Sequence, residues 1–273
     1  MGLRVNTNIA SMAAQRNLAA VTTRLQGNYA RLSSGLRIAT AADDAAGLGI
    51  SERMRAQIRS YTVAGRNAQD GVSLVQTAES ALQEVTNNLA RMRELAVQSA
   101  NGTLTTNDRA TLDTEFQELI AEIDRAAVQV TFNGVKLLDG STASLDIQVG
   151  ISAGEIITVS LVDTTAATLA IDQEDVTSAA NATTSLAVID AAIDAVTTGR
   201  GQLGAAQNRM GSAIASIAAA REAVAGAESR IRDVDVAMET ADLTRNTILQ
   251  QAAVSVLAQA NVQPQLALNL LQQ

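Results

Sequence analysis

One glycine-rich segment of this 273-residue chain has the spacing of a phosphate-binding loop. Residues 199–204 read GRGQLG, which matches the GxGxxG pattern that brings a backbone close to the pyrophosphate of a dinucleotide. That chemistry needs a strand before the glycines, so that the N-terminus of the following helix meets the phosphates. Here the preceding apolar residues, Ile189, Ile193 and Val196, recur at helical spacing. We therefore interpret the motif as a coincidence within a long helix.

Two adjacent carboxylates, Asp43 and Asp44, are the second candidate for chemistry. Paired carboxylates can exchange protons in acid–base catalysis or bind a metal ion. The chain contains no His and no Cys, which excludes thiolate sites, HExxH zinc sites and nucleophiles activated by histidine. Because no further ligand cluster accompanies the pair, we expect these carboxylates to cap the next helix or to pair with arginine. The sequence therefore predicts no catalytic site, no cofactor and no metal.

The composition favours long, thin helix pairs over a thick globular core. Hydrophobic residues make up 47% of the chain, yet it has only two Phe, two Tyr and no Trp, and aromatic side chains carry much of the burial in globular cores. A single Pro in the whole chain also favours helices, because Pro interrupts them. We expect a mainly α fold.

Apolar residues recur at seven-residue intervals in two long segments of the chain. Small residues, mostly Ala and Gly, occupy many of the intermediate positions, and this three–four alternation is typical of the seam between supercoiled helices. The larger seam residues are Val75, Leu82, Leu89, Leu203, Met210 and Ile217. The pattern predicts two long, antiparallel, coiled-coil-like helices at 45–99 and 184–231. Asn101 and Gly102 should end the first of them in a left-handed turn.

Both chain ends are predicted to be helices that carry one apolar stripe each. The first helix spans residues 3–32 and the last spans about 236–262. Pro264 should disturb the last helix just beyond that range. The stripe residues are Leu18, Leu25 and Leu32 in the first helix and Leu249 and Val256 in the last. Because polar residues surround a thin stripe, such a helix is marginal alone in water. We expect these stripes to be incompletely buried within one chain.

Between the long helices the apolar period changes to two. Residues 108–128 predict a third helix, and the alternating runs 145–149 and 157–161 flank a Gly-containing turn. Two such runs predict a β-hairpin within about 130–162. Residues 163–183 are rich in Thr, Ala, Ser and Asp, which predicts a loop.

The charge of the chain is unevenly distributed. The net charge of −8 argues against nucleic-acid binding by the chain as a whole. Residues 1–60 contain eight Arg and three carboxylates, and we expect these arginines on a solvated or inter-subunit face. The sequence contains no apolar run of 18 residues, so it predicts no membrane span. The N-terminus also lacks the pattern of a secretory signal peptide.

Ordered sequence motifs occur at both ends of the chain. They are residues 31–38 (RLSSGLRI), 43–47 (DDAAG), 66–71 (RNAQDG), 93–98 (RELAVQ) and 229–235 (SRIRDVD). Together they resemble bacterial flagellin, the subunit of the flagellar filament, over nearly the whole chain. Larger flagellins insert outer domains after the hairpin, where this chain has only a loop. The resemblance therefore implies a short form without outer variable domains.

The resemblance also implies how the chain is divided. Residues 1–44 would form the N-terminal half of an inner domain plus a connector, residues 45–228 a rod-like outer domain, and residues 229–273 a second connector plus the C-terminal half of the inner domain. The N- and C-terminal helices would pair with each other in that inner domain, and their stripe residues would form a seam that packs between subunits.

The function implied is that of a homopolymer in the extracellular bacterial flagellum, which serves swimming motility. The implied export route is the flagellar type III channel. The implied partners are the flagellar cap, the hook-junction proteins and an export chaperone that shields the C-terminal helix. In some flagellins a host innate immune receptor also reads the surface of the second helix, and the matching positions are Leu89, Arg91, Leu95 and Glu115.

Two other classes of protein share parts of this pattern. A hook-associated protein of the filament junction has the same ends but would not polymerise indefinitely. A signalling coiled coil of the chemoreceptor type shows similar Ala-rich heptads, but it needs a membrane span or a kinase-binding tip, and neither is visible in the sequence. An enzyme fits least, for want of His, Cys and a ligand cluster.

Overall fold

The computed structural model describes residues 7–271, with side chains described throughout except at positions 263 and 265–271. Its contacts divide the chain into a terminal unit, residues 1–56 with 223–273, and a central unit, residues 57–222. The elements in chain order are α1 (Ile9–Ser34), α2 (Ala45–Ser99), α3 (Thr106–Gln129), β1 (Thr131–Phe132), β2 (Val135–Lys136), β3 (Ser144–Gln148), β4 (Ile156–Ser160), α4 (Ala179–Arg232) and α5 (Val236–Leu271). The predicted fold class is confirmed.

Helix α1 begins later than the sequence predicts. Asn8 is its N-cap, because its side-chain oxygen accepts a hydrogen bond from the backbone N–H of Ser11 at 3.0 Å. Positions 3–6 of the predicted helix lie outside the described residues. The helix ends at Ser34, after which Gly35 adopts a left-handed conformation with φ of 72°.

Helix α2 has the predicted bounds, but its end differs from the expected turn. Neither Asn101 nor Gly102 has a positive φ. Instead, the guanidinium of Arg109 donates hydrogen bonds to the carbonyls of Ser99 at 2.9 Å, Leu104 at 2.9 Å and Asn101 at 2.8 Å. A side chain from α3 thus satisfies the Ser99 carbonyl, which the helix end leaves unpaired, and two carbonyls of the following loop, without a left-handed residue.

The central unit contains two small antiparallel hairpins. The predicted hairpin is β3–β4, in which Leu145 pairs with Val159 and Ile147 with Ile157. A shorter hairpin, β1–β2, precedes it. The predicted loop 163–183 is too long, because α4 already begins at Ala179, where the Ser178 hydroxyl accepts the backbone N–H of Asn181 and caps the helix.

Helix α5 continues through Pro264, contrary to the expected disturbance. A proline cannot donate a hydrogen bond to the carbonyl four residues before it, here that of Ala260. That carbonyl instead accepts a hydrogen bond from the side-chain amide of Asn8 at 2.7 Å. A residue from the other end of the chain therefore supplies the donor that the proline lacks.

Candidate functional site

Helices α1 and α5 pack against each other as an antiparallel pair in the terminal unit. Asn8 meets Ala260 near one end of the pair, and near the other end the guanidinium of Arg31 lies 3.5 Å from the carboxylate of Glu239. Buried or half-buried residues of α1 include a set that recurs at intervals of three and four, as in a coiled-coil seam. The set is Ser11, Ala14, Leu18, Val21, Leu25, Asn28 and Leu32.

The face of α5 that meets this seam is largely small or polar. Its buried or half-buried positions include Glu239, Leu243, Asn246, Gln250, Ala253, Leu257 and Ala260. Of the predicted stripe residues, Leu25 is buried and Leu18 and Leu32 are half-buried within the pair. Leu249 and Val256 are exposed. The pair therefore uses the predicted stripe of α1 internally and leaves the predicted stripe of α5 uncovered.

Exposed apolar side chains are concentrated on the terminal pair. Among the described side chains, the terminal unit contributes four of the 36 buried apolar residues but 11 of the 15 large apolar residues that are exposed. Ten of those exposed residues lie on α1 and α5, and we call them the apolar surface. They are Ile9, Met12, Tyr29, Val236, Met238, Ile248, Leu249, Val254, Val256 and Val262. So many exposed apolar side chains on two paired helices favour a role of these helices in interactions.

A polar cluster lies inside the α1–α5 pair. Asn28 donates to the carboxylate of Glu239 at 2.6 Å and accepts from the side-chain amide of Asn246 at 2.9 Å. These three residues are only 5%, 8% and 9% exposed. Buried polar groups of this kind are costly unless they are hydrogen-bonded, and here the side chains bond one another.

The two segments that flank the pair are joined by backbone hydrogen bonds. The carbonyl of Gly35 accepts from Val234 at 3.0 Å, and the carbonyl of Arg232 accepts from Arg37 at 2.7 Å. The guanidinium of Arg232 also donates to Glu52 at 2.6 Å, and this bond holds the pKa of the Glu52 carboxyl below its ordinary value. The connectors thus form a short two-stranded link at the base of the pair.

The central unit buries its own apolar residues. All six predicted seam residues, Val75, Leu82, Leu89, Leu203, Met210 and Ile217, are buried. Antiparallel contacts within the unit join α2 to α4: Arg93 bonds Asp190 at 2.7 Å, and Arg200 bonds Glu79 at 2.9 Å. The central unit is thus covered by its own packing.

Neither the GxGxxG segment nor the pair of carboxylates, Asp43 and Asp44, forms a reactive site. The GxGxxG segment lies wholly within α4, and a Cβ atom on Gly199 would clash with a methyl of Val162, so this glycine permits close packing. Asp44 accepts the backbone N–H of Gly47 at 2.9 Å and caps α2. Asp43 accepts hydrogen bonds from the backbone and hydroxyl of Thr40, which lower its pKa.

The four residues predicted to face an immune receptor are placed differently from one another. Leu89 and Leu95 are buried in the core, with 0% and 1% exposure. Arg91 and Glu115 are about half exposed and form an ion pair at 2.8 Å between α2 and α3. Hydrogen bonds from Glu115 and then Glu94 raise the pKa of Arg91. On the isolated subunit only these charged residues offer contact area.

Two absences apply to the part of the chain that the structure describes. Across residues 7–271, no helix is both long and apolar enough to cross a membrane. In the same range, no three carboxylate, His or Cys side chains lie close enough together to hold a metal ion.

The residues that organise the pair are polar, and periodicity did not single them out. Asn8, Asn28 and Asn246 sit in or beside apolar stripes where a sequence pattern shows only an interruption. A weak signal exists for Asn8, because Asn is a favoured N-cap residue. Its second bond, to Ala260, joins positions 252 residues apart and has no local signature.

Comparison with known proteins matches both halves of the chain to one family. Residues 5–143 match the pattern described as the bacterial flagellin N-terminal helical region, and residues 186–271 match the C-terminal helical region. A flagellin of Halalkalibacterium halodurans is 49% identical over 269 residues, covering 98% of this chain and 99% of that protein. A flagellar filament 33 kDa core protein of Treponema phagedenis is 41% identical, with 98% and 99% covered.

A solved structure agrees with this relationship. The crystal structure of Bacillus cereus flagellin is 32% identical to the matched part, with a TM-score of 0.52. It covers 56% of this chain and 88% of the other.

Proposed function

This chain belongs to the bacterial flagellin family and is a structural subunit of the extracellular flagellar filament, and we propose that its polymer contacts are made by the apolar surface of the terminal helix pair. It is a short form, since a 269-residue match covers 99% of a related flagellin. Motility follows from the role of the filament. The observation that supports these polymer contacts is that the terminal unit buries few apolar residues and exposes many.

The two units differ in how they satisfy their apolar residues. The central unit holds 32 of the 36 buried apolar residues and only four of the large exposed ones, among described side chains. The terminal unit shows the reverse balance. A protein that must remain monomeric would cover such a surface, whereas a polymer covers it with neighbouring copies.

The free energy available from this surface is sufficient for assembly. The ten residues are between 42% and 68% exposed, so about half of each side chain remains to be buried. Full burial of such a side chain contributes about 1.5–3 kcal/mol, and the remaining half contributes roughly 1 kcal/mol each. About 10 kcal/mol for ten residues lies in the range of micromolar or tighter contacts, before the entropic cost of association.

We propose the domain division that follows from the family. Residues 1–44 and 229–273 form the inner domain with its connectors, and residues 45–228 form the rod-like outer domain. The link between Arg232 and Glu52 supports placing the base of α2 close to the connectors.

The same surface accounts for the partners that we propose. Before assembly, an export chaperone covers α5, and the subunit passes through the flagellar type III channel. At the filament ends, the cap and the hook-junction proteins contact the surface that a further copy would occupy. The support is chemical: an exposed apolar helix needs cover wherever a neighbouring copy is absent.

We propose that a host innate immune receptor contacts this chain through the charged residues Arg91 and Glu115 only. Arg91 and Glu115 are exposed and paired, whereas Leu89 and Leu95 are buried. In a receptor reporter assay on the monomer, Arg91→Ala should reduce signalling. Arg125→Ala, which breaks another exposed ion pair on α3, is the matched control and should not. Equal signalling by both variants and the wild type would remove this proposal.

We propose no enzymatic role, since the family is structural. The alternative of a hook-associated protein has no observation in its favour. It predicts a chain that does not grow into long filaments, and the experiment below separates the two.

Seeded growth tests the proposed assembly surface. Light scattering follows the purified protein after short filament seeds are added, and electron microscopy identifies the product. Leu249→Asp places a charge on the apolar surface and should abolish growth while leaving subunit unfolding unchanged, because Leu249 is already exposed. Gln251→Asp adds the same charge at an exposed polar position of α5 and should still grow. Normal growth of Leu249→Asp would refute the proposed surface.

A further inference from the structure

We infer that the buried polar cluster of Asn28, Glu239 and Asn246 determines the register in which α1 pairs with α5. The inference rests on the proposed function, because register matters for assembly only if this pair carries the polymer contacts. The three residues are positioning residues: they fix which residue of α5 lies opposite each residue of α1.

The apolar seam of α1 cannot determine the register. Leu18, Leu25 and Leu32 are spaced by seven residues, so a slip of one heptad moves Leu18 into the place of Leu25 and Leu25 into the place of Leu32. The burial of Leu18 and Leu25 changes little under such a slip, because identical side chains occupy equivalent positions. Only Leu32 moves to a place beyond the native end of α1 at Ser34. Apolar packing alone therefore leaves the native and slipped registers close in free energy.

The opposite helix does not resolve this ambiguity by its apolar pattern. Helix α5 exposes apolar residues around its surface, among them Ile248, Leu249 and Val254. Its face towards α1 is largely small or polar, with Leu243 and Leu257 as the larger apolar residues. Leucines of α1 would find apolar cover on several faces of such a helix.

The position of Asn28 breaks this equivalence. One heptad earlier, the corresponding residue of α1 is Val21, which can neither donate to Glu239 nor accept from Asn246. A slip that brings Val21 to the cluster buries an amide and a carboxylate without partners, which costs about 1–3 kcal/mol for each such group. A buried Asn that fixes helix register at some cost in stability is an established device of coiled coils.

Cross-linking measures the register directly, because the chain has no Cys of its own. Ser11 lies 2.8 Å from Asn261 between side-chain oxygens, so Ser11→Cys with Asn261→Cys reports the native register. Ser11→Cys with Val254→Cys reports a slip of seven residues. Each pair is introduced separately into the full chain, and disulfide formation is scored in the assembled filament and in the unassembled protein. A disulfide needs Cα atoms within about 7 Å, whereas a slip of seven residues moves them by about 10 Å, so the two registers are distinguished.

The native cluster should favour the native cross-link over the slipped one by about tenfold or more. With Asn28→Leu, Glu239→Leu and Asn246→Leu together, the share of the slipped cross-link should rise, although the Asn8–Ala260 contact and the connector hydrogen bonds still favour the native register. Glu239→Gln keeps an oxygen that accepts from Asn28 and should retain the native ratio. Moving the amide by one heptad, with Val21→Asn and Asn28→Val, should raise the slipped share further.

Specific results would overturn the inference. A native ratio in the triple leucine variant would mean that other contacts set the register. Loss of both cross-links in that variant, with normal cross-linking of Glu239→Gln, would assign the cluster a role in stability alone. Seeded growth is scored separately: a wild type that shows the native ratio but does not grow would refute the proposed function and leave the register inference standing.

Discussion

Replacing Asn8 with alanine should weaken both the start of α1 and the proline-containing part of α5. The side-chain oxygen of Asn8 accepts the Ser11 N–H at 3.0 Å, and its amide donates to the Ala260 carbonyl at 2.7 Å. In a regular helix residue 264 would make the second bond, but Pro264 has no N–H. A single side chain thus serves two helices.

The expected loss is the sum of these two contacts. Removing an N-cap side chain costs about 1 kcal/mol, and a hydrogen bond to a carbonyl contributes about 1 kcal/mol. A local loss of about 2 kcal/mol corresponds to a roughly 30-fold decrease in amide protection. In the background of Pro264→Ala the helix regains its own donor to Ala260, so Asn8→Ala should cost only the cap, about 1 kcal/mol.

Amide hydrogen exchange of the assembled full chain tests this cycle. Protection at Ser11 is compared in the wild type, Asn8→Ala, Pro264→Ala and the double variant. Asn17→Ala, which removes an exposed Asn of α1, controls for a general effect on the helix. The predicted coupling of about 1 kcal/mol exceeds the usual error of additivity, about 0.3–0.5 kcal/mol. An equal loss from Asn8→Ala in both backgrounds would refute the compensation for the proline.

Three further predictions concern the central unit and are measured by unfolding of the full chain. Thr164→Val should stabilise the protein by about 1 kcal/mol, because the Thr164 hydroxyl is buried without a partner. Thr165→Val should destabilise it, because the Thr165 hydroxyl donates to Asp163 at 2.9 Å. A change of stability in the same direction for both variants would contradict this. Ala170→Gly should stabilise by about 1 kcal/mol, since φ is 58° there, and a loss of stability would count against it. The hydrogen bond from Arg93 lowers the pKa of Asp190, so the stability that this pair contributes is present above about pH 4 and is lost as pH falls through the lowered pKa. Asp190→Asn should therefore make the unfolding free energy less sensitive to acid, and an unchanged pH profile of stability would refute this role of Asp190.

The long helices and their seam could be predicted because their signals are local and repeated. Helix α2 begins at Ala45 and ends at Ser99 as predicted. Seam residues such as Leu82 and Met210 are fully buried. A period of seven sustained over many turns specifies one face of a helix, whatever the partner is. The hairpin is predictable for the same reason, since alternation with a period of two specifies the face of a strand.

The placement of the α5 stripe was not predictable in this way. Leu249 and Val256 look like seam residues by type and spacing, yet both are exposed. Because α5 carries apolar residues on several sides, its periodicity does not indicate which face meets α1. The turn after α2 was missed for a related reason: the donor that ends the helix, Arg109, belongs to the next helix.

Local patterns of residues were thus enough to predict the helical class, the approximate extent of the long helices, the buried seam of the central unit and, through the motifs, the family. The apolar residues that the terminal pair leaves exposed, and the polar contacts that hold the pair together, became known only from the folded chain. The two groups of features differ in the range of the interactions behind them. Helix and strand formation follow from neighbours a few residues apart, whereas Asn8 with Ala260 and Asn28 with Asn246 are separated by 252 and 218 residues and become neighbours only when the two ends of the chain meet.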